Sequence, residues 1–233
     1  MCANTDEGVK GNTMTKKEFL EKIAEDEEYS PGWQAIDNAF EKLYPGQKPA
    51  HFGTNMVNRV IFGGDEYLDG YSIYTSSKGY KHLVTYGMTV LYGDEEAFGG
   101  EWNGWGYEMT IKLKAENLED CMWAISMLSN LARYTYQTEN YFEPRQYVKG
   151  KKLLSQIGIE SKIVAFLLVE DTEALSQESV YGKTEFIQLV GITESELCAV
   201  MEDSDNIDVL IEAMKADGNA ELVTDMTREK SYI

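Results

Sequence analysis

Residues 107–114 alternate strictly, with Tyr107, Met109, Ile111 and Leu113 on one parity and Glu108, Thr110, Lys112 and Lys114 on the other. A period of two predicts a strand with one buried and one solvated face. Residues 83–92 repeat the pattern less strictly: Val84, Tyr86, Met88, Val90 and Tyr92 share one side, Thr85, Gly87 and Thr89 most of the other. The two segments read as neighbouring antiparallel strands flanking a loop dense in Gly, acid and Trp. Shorter β-rich runs at 57–62 and 71–75, punctuated by Gly63-Gly64 and Asp69-Gly70, make this part of the chain a meander-like sheet. The apolar runs 163–169 and 186–192 read as two more buried strands with a polar loop between them.

Helical spacing takes over elsewhere. Thr15-Lys16-Lys17-Glu18 has the form of a capping box ahead of Phe19, Leu20 and Ile23. Ser30 as N-cap and Pro31 at the first helical position open a second helix whose Trp33, Ile36, Phe40 and Leu43 line one face before Pro45-Gly46 ends it. Over 118–136 one stripe holds Cys121, Ile125, Leu128 and Ala132, and Trp123, Met127, Leu131 and Tyr134 widen it, so packing on more than one side is expected. A Tyr-rich, basic connector follows at 138–152. Thr193-Glu194-Ser195-Glu196 is a second capping box, and Asp205 or Asn206 caps a last helix that carries Ile207, Leu210, Ile211 and Met214 and ends near Gly218. With no Ser/Pro-rich linker or internal repeat, residues 15–233 read as a single α+β domain. Its sheet is expected to be mixed, mainly antiparallel and flanked by helices. Residues 1–14 read as a disordered leader, with Met14 as an alternative start.

Composition is that of an ordinary globular chain, 43% hydrophobic and 26% charged, and adds one distinctive feature, a formal charge of −19. Residues 170–233 hold sixteen acidic and four basic side chains. Such a field repels nucleic acid and anionic membranes and attracts cationic partners, although acidity also serves solubility alone. Cys2, Cys121 and Cys198 form neither an even disulfide set nor a CxxC pair. The first residues lack an apolar signal core and no run approaches membrane-span length, so a reducing, cytoplasmic setting is expected.

The sequence offers little for catalysis. His51 and His82 have no metal-ligand companion at a suitable spacing, and Cys121 and Cys198 sit in apolar helical stripes where cysteine acts as a small hydrophobe. Residues 203–208 superficially resemble a calcium loop, but Ile207 stands where a ligand belongs. There is no GxSxG elbow, Walker lysine or GxGxxG turn. Glu95 and Glu96 could serve a hydrolase, yet 40 acids supply such pairs by chance. No enzyme activity, cofactor or metal is therefore predicted. Binding has better support: Trp102 and Trp105 lie among Gly99, Gly100, Gly104 and Gly106, as exposed interface anchors or as a lid on the core. Asp94 would pair with a partner's cation or N–H, or cap a turn. The sheet edges could also take an added peptide strand.

These segments resemble the suppressor of fused family. The matching pieces keep their order: Leu43-Tyr44-Pro45, the run 68–74, the run 82–94 ending Leu91-Tyr92-Gly93-Asp94, Gly106-Tyr107-Glu108-Met109-Thr110 with Leu113-Lys114, Leu131-Ala132-Arg133-Tyr134, 137–140 with Phe142, the run 186–191, and Val223-Thr224-Asp225-Met226. The resemblance implies the mixed N-terminal module of the animal members, which are negative regulators that hold transcription factors. Those proteins grip their ligand between two domains, and this chain corresponds to the first, so that clamp is not expected of it. Short members look like bacterial proteins, and the resemblance implies an immunity protein that neutralises a toxin. It also maps the ligand-contacting region onto residues 82–92 and Asp94. Leu83, Tyr86 and Asp94 are carried over as partner-binding candidates, joined by Trp102 and Trp105. The expected partner is a protein, a basic toxin domain in the sharpest version; the oligomeric state is left open. The alternative is a regulatory scaffold that binds an extended peptide by strand addition.

Overall fold

A computed structural model describes residues 14–54, 67–150, 154 and 160–233. The strand expected at 57–62 and the leader at 1–13 lie outside the described residues. Two helices lead: α1 (Lys16–Glu25), closed by the predicted Thr15/Glu18 capping box, and α2 (Pro31–Leu43), with Pro31 at its start. Ser30 does not cap α2 through its side chain; its hydroxyl donates to the Glu28 carbonyl instead. The strands are β1 (Ala50–Gly53), β2 (Gly70–Thr75), β3 (Lys81–Tyr86), β4 (Trp102–Leu113), β5 (Tyr147–Lys149), β6 (Ile163–Glu170), β7 (Gln177–Ser179) and β8 (Gly182–Thr193). Helix α3 (Met122–Thr138) follows β4, and α4 (Glu194–Glu202) and α5 (Asn206–Ala216) follow β8. The second capping box, Thr193 with Glu196, starts α4 as its sequence predicts.

All eight strands form one sheet in the order β1-β2-β3-β4-β8-β6-β5, with β7 a short hairpin arm on β8. Every pairing is antiparallel except β4 with β8, so the sheet is mixed and mainly antiparallel, as expected. Helix α3 covers one face: Cys121, Ala124, Met127, Leu128 and Ala132 pack on Leu83, Tyr107, Met109, Ile111 and Leu189. Of the wider stripe, Met127 is buried and Trp123 and Leu131 pack partly against this core, while Tyr134 stays exposed. The opposite face carries two apolar clusters. At one end α2 sets Ile36, Ala39 and Phe40 against Tyr74, Val84 and Tyr86. At the other, α4 and α5 set Leu197, Val200, Ile207 and Leu210 against β6 and β8.

A polar seam divides those two clusters, and it corrects the expectation of a solvated face on β4. Glu108, Thr110 and Lys112 are each 0% exposed. The residues 171–174 connecting β6 to β7 lie over the seam. Asp171 Oδ1 sits 3.0 Å from Lys112 Nζ, while its Oδ2 meets His82 Nε2 at 2.9 Å and accepts from the Thr110 hydroxyl at 2.6 Å. Tyr44 Oη lies 2.9 Å from His82 Nδ1, and Glu173 holds Lys112 from a second side at 3.1 Å. Burial pushes both carboxyls up, but the neighbouring His82 and Lys112 outweigh it for Asp171, and Lys78, Tyr80 and Lys112 hold Glu173 down at about 2. Both histidines are structural: His51, partly exposed on β1, bonds Ser72 at 3.0 Å and packs beside Trp33.

Two further expectations need correction. The strand read over 83–92 stops at Tyr86, because Gly87 takes φ +126° with its Cα hydrogens against Leu68 and Asp69, a place where a Cβ would lie 2.9 Å from the Asp69 nitrogen. Cys198 is exposed, because α4 turns Leu197 and Val200 inward instead, whereas Cys121 is buried as expected.

Two outcomes follow from this packing. Lys112→Met leaves Asp171 as a buried charge short of its cation and should cost about 3–5 kcal/mol at neutral pH in urea unfolding. Both carboxyls are depressed, so their stabilisation is complete above about pH 4.5 and is lost as pH falls toward about 2; the variant's deficit should shrink across that window. A deficit that is small or independent of pH would mean that the seam is not an ion pair. Gly32 docks the start of α2 on the chain at 90–91, where an added Cβ would lie 1.8 Å from the Val90 carbonyl oxygen. Gly32→Ala should therefore destabilise by at least about 1–3 kcal/mol, and an unchanged unfolding midpoint would show that α2 can slide.

Candidate functional site

The loop predicted between the paired segments is the most irregular part of the sheet. Trp102 pairs with Lys183 and Tyr107 with Glu185, so five steps along β4 match two along β8 and the intervening residues bulge off the ladder. Gly104 and Gly106 make the bulge feasible, with φ of +57° and +86°. A Cβ on Gly104 would lie 2.9 Å from the Met88 carbonyl oxygen, so the bulge rests directly on the chain at 88–90.

That stretch, 87–92, follows β3 without pairing as a strand, and side chains satisfy most of its backbone. The Glu108 carboxylate accepts from the N–H groups of Gly87, Met88 and Thr89 and from the hydroxyls of Thr85 and Thr89. Asn103, fully buried, accepts from Val90 N–H at 2.9 Å and donates to the Val90 carbonyl at 3.3 Å. Tyr136 donates to Gly87 O, Trp105 N–H to Met88 O, Gly32 and Trp33 N–H to Leu91 O, and Tyr181 to Tyr92 O. Burial pushes the Glu108 carboxyl up to about 7, against the pull of its donors.

Two hollows open on either side of Trp105. One, of about 580 Å³, lies over 87–94 and is walled by Tyr67, Asp69, Trp105 and Tyr136. The other, of about 470 Å³, lies between the bulge and the connector after α3, with Trp102, Trp105, Tyr141, Phe142, Glu143 and Glu185 on its walls. Both share Gly104 and Trp105. Carboxylates of Asp69 and Asp94 border the first and those of Glu143 and Glu185 the second; neither has a lysine or arginine among its described lining residues, although Lys183 pairs with Glu185 from outside the second. Tyr92, Trp102 and Tyr141 are 53%, 45% and 55% exposed, a large aromatic area in water on one face.

The candidate residues separate on this geometry. Leu83 is 0% and Tyr86 1% exposed. Leu83 belongs to the core under α3, and Tyr86 stacks on Trp33 at 4.4 Å and donates to Asp37 at 2.9 Å, so neither presents a surface to a partner in this state. They point to opposite faces of β3, and both faces are covered. Asp94 is exposed at the rim, and its Oδ1 also accepts from Glu96 N–H at 2.8 Å and Ala97 N–H at 3.4 Å, so it caps a turn. Trp102 lies open, with the Lys183 ammonium 5.0 Å from its ring centre. Trp105 is the half-buried wall, edge-on to Tyr136 at 5.6 Å. Asp94, Trp102 and Trp105 thus come together, and Tyr92 joins them. Tyr141, Glu143 and Glu185 are brought in by the fold alone; the Tyr-rich composition of 138–152 was the only sign of the first. Asn103 and Glu108 carry no sequence signal for their roles as supports.

Among the described residues, no group of three or more His, Cys, Asp or Glu could hold a metal ion, and no helix is long and apolar enough to cross a membrane. The His82–Asp171–Thr110 cluster superficially resembles a hydrolytic relay, but all three side chains are sealed from solvent.

The family described as suppressor of fused protein matches residues 64–229. The human and mouse suppressor of fused homologues are each 30% identical over an alignment of 211 residues that covers 84% of this chain and 43% of theirs. The chain therefore spans less than half the length of these curated relatives. Among solved structures, a chain of the Sufu–Fu complex matches with a TM-score of 0.72 and 25% identity, over 87% of this chain and 92% of that one. Drosophila Suppressor of Fused matches with a TM-score of 0.71 and 25% identity, over 87% and 51% of the two chains. A homologue from Neisseria gonorrhoeae shares the fold at a TM-score of 0.57 and 16% identity, over 87% and 97%. Sequence and fold agree across most of its length, and the chain belongs to the suppressor of fused family.

Proposed function

We propose that residues 15–233 form a non-enzymatic protein-binding domain whose partner docks on the face around Trp105, and that this partner is a basic toxin domain in the cytoplasm, neutralised by occlusion. The observation that carries this reading is the pair of adjoining hollows, aromatic in their walls, bordered by carboxylates and without a cation among their described lining residues. An aromatic patch ringed by carboxylates suits a partner that inserts lysine or arginine side chains beside apolar ones. The charge of −19 adds long-range attraction for a basic surface and speeds encounter with it. That a relative is known from a Sufu–Fu complex supports protein binding as the use of this fold. The sealed His82–Asp171 pair supports a non-catalytic reading, since a reacting group needs access to substrate.

Strand addition by an extended peptide is the other reading, and the geometry favours it less. The strands at the two ends of the described sheet, β1 and β5, have four and three residues and offer short templates. Along 87–92 most backbone groups already bond within the protein, so an incoming strand would have to compete for them.

The test is capture from native cells with the tagged protein, washed at low and then high salt. One basic, toxin-like protein should be retained at low salt and released at high salt. Trp102→Ala and Glu143→Lys, both at exposed sites, should fold normally and weaken that complex by about 2 kcal/mol or more each. These are cleaner probes than Asp94, whose substitution also removes a turn cap. Retention of an acidic protein regardless of salt, or full binding by both variants, would overturn the proposal.

A further inference from the structure

The floor of the first hollow depends on one buried acid. Glu108 is 0% exposed and makes no ion pair with any described residue, although a buried carboxylate ordinarily requires a cation. Its charge is met by dipoles. Gly87 and Thr89 N–H donate to Oε1, each at 3.0 Å, as does the Thr89 hydroxyl at 2.7 Å. The Thr85 hydroxyl donates to Oε2 at 2.6 Å and Met88 N–H at 3.3 Å. Consecutive N–H groups turned toward one anion cannot at the same time face a neighbouring strand, so this contact dictates the path of the chain at 87–89. The Met88 carbonyl then receives Trp105 N–H at 3.0 Å, which passes that path on to the wall between the two hollows.

We infer that Glu108 is the positioning residue of the partner-binding face, and that its carboxyl, the shared acceptor of their N–H groups, holds residues 87–89, and through them Trp105, in the conformation a partner meets. This rests on the reading of that face as a binding surface, but it makes a claim about the free protein that can fail alone. Protonation costs little hydrogen bonding, because the Thr85 and Thr89 hydroxyls that donate to the carboxylate can reverse and accept its new O–H, and it removes a buried charge; since burial raises this carboxyl above its solvated value, the proton binds the closed floor better than an opened one and protonation tightens it. Burial brings that proton uptake close to neutrality. The facing groups leave the effect to Glu108 itself. Tyr107 on β4 and Tyr136 on α3 are the titratable neighbours that feel its charge, and burial raises both phenols. Phe186 is its pairing partner on β8, and Thr85 faces it from β3.

Backbone hydrogen exchange in the free protein tests this, corrected for the intrinsic pH dependence of exchange and read at Gly87, Met88 and Thr89 with Leu167 of β6 as reference. In the unaltered protein, protection at 87–89 should rise roughly tenfold as pH drops from about 8.5 to 5.5, in one step, while Leu167 does not follow. Thr89→Val removes one donor to the charged form and should move that step to higher pH with the fold intact. Glu108→Gln should abolish the step, since its side chain keeps an acceptor oxygen but has no proton to gain. Protection that is flat with pH in the unaltered protein, a step shared by Leu167, or a step unmoved by Thr89→Val would overturn the inference. The two proposals stay distinguishable, because Trp102→Ala should abolish partner capture and leave the step at 87–89 in place.

Discussion

Strand β4 runs through the middle of the sheet with both faces covered, so the polar side chains of its second parity have no water to reach. Burying an ammonium and a carboxylate on one strand is expensive unless each finds partners. The two are resolved differently. Lys112 is met by anions, Asp171 and Glu173, which arrive on the connection after β6. Glu108 is met by N–H and O–H dipoles, which arrive on the chain just after β3. Each solution recruits a loop and pins it to the sheet, and one of those loops becomes the floor of the candidate binding face. The irregular parts of the molecule are thus consequences of its most regular strand.

Much of this architecture can be read from periodicity and capping. The Thr15 and Thr193 boxes, Pro31 at the start of α2, the alternation over 107–113 and the apolar runs of β6 and β8 are local signals, and the structure has an element at each. Alternation alone, however, reports only that two faces differ. It does not report what covers each, and the cover over Lys112 comes from residues about sixty positions away. Leu83 and Tyr86, candidates carried over from the family resemblance, are buried for the same reason: on a strand with both faces covered, either parity ends in the core. The end of β3 was hidden because the pattern of alternate apolar residues continues past Gly87, while its backbone φ does not suit a strand. The bulge was signalled by glycine density, but the sequence left open which tryptophan would be wall and which would be exposed.

Charge is distributed by the same logic. All four basic residues of the acidic C-terminal quarter are paired: Lys183 with Glu185, Lys215 with Glu212, Arg228 with Glu196 and Lys230 with Asp217. Arg228 uses both guanidinium nitrogens on the buried Glu196 carboxylate and bonds the Gly191 carbonyl as well, fastening the last residues to the sheet. Cations are spent inside the molecule, so the excess acid sets the outward field.

Recognition on the Trp105 face is consequently separable from folding at the level of single residues. The groups that define the floor, Glu108 and Asn103, are buried and bond mainly to the backbone at 87–90, so changing them alters shape. The groups that a partner would touch first, Tyr92, Trp102, Tyr141 and Glu143, are exposed and lie outside the apolar clusters that hold the sheet together. Substituting them alters chemistry at little cost to stability, since exposed positions away from caps and buried networks usually change stability by no more than about 0.5 kcal/mol. A fold built this way can keep one scaffold and exchange its partner through a few surface side chains, provided that the carboxylate beneath continues to hold the floor in place.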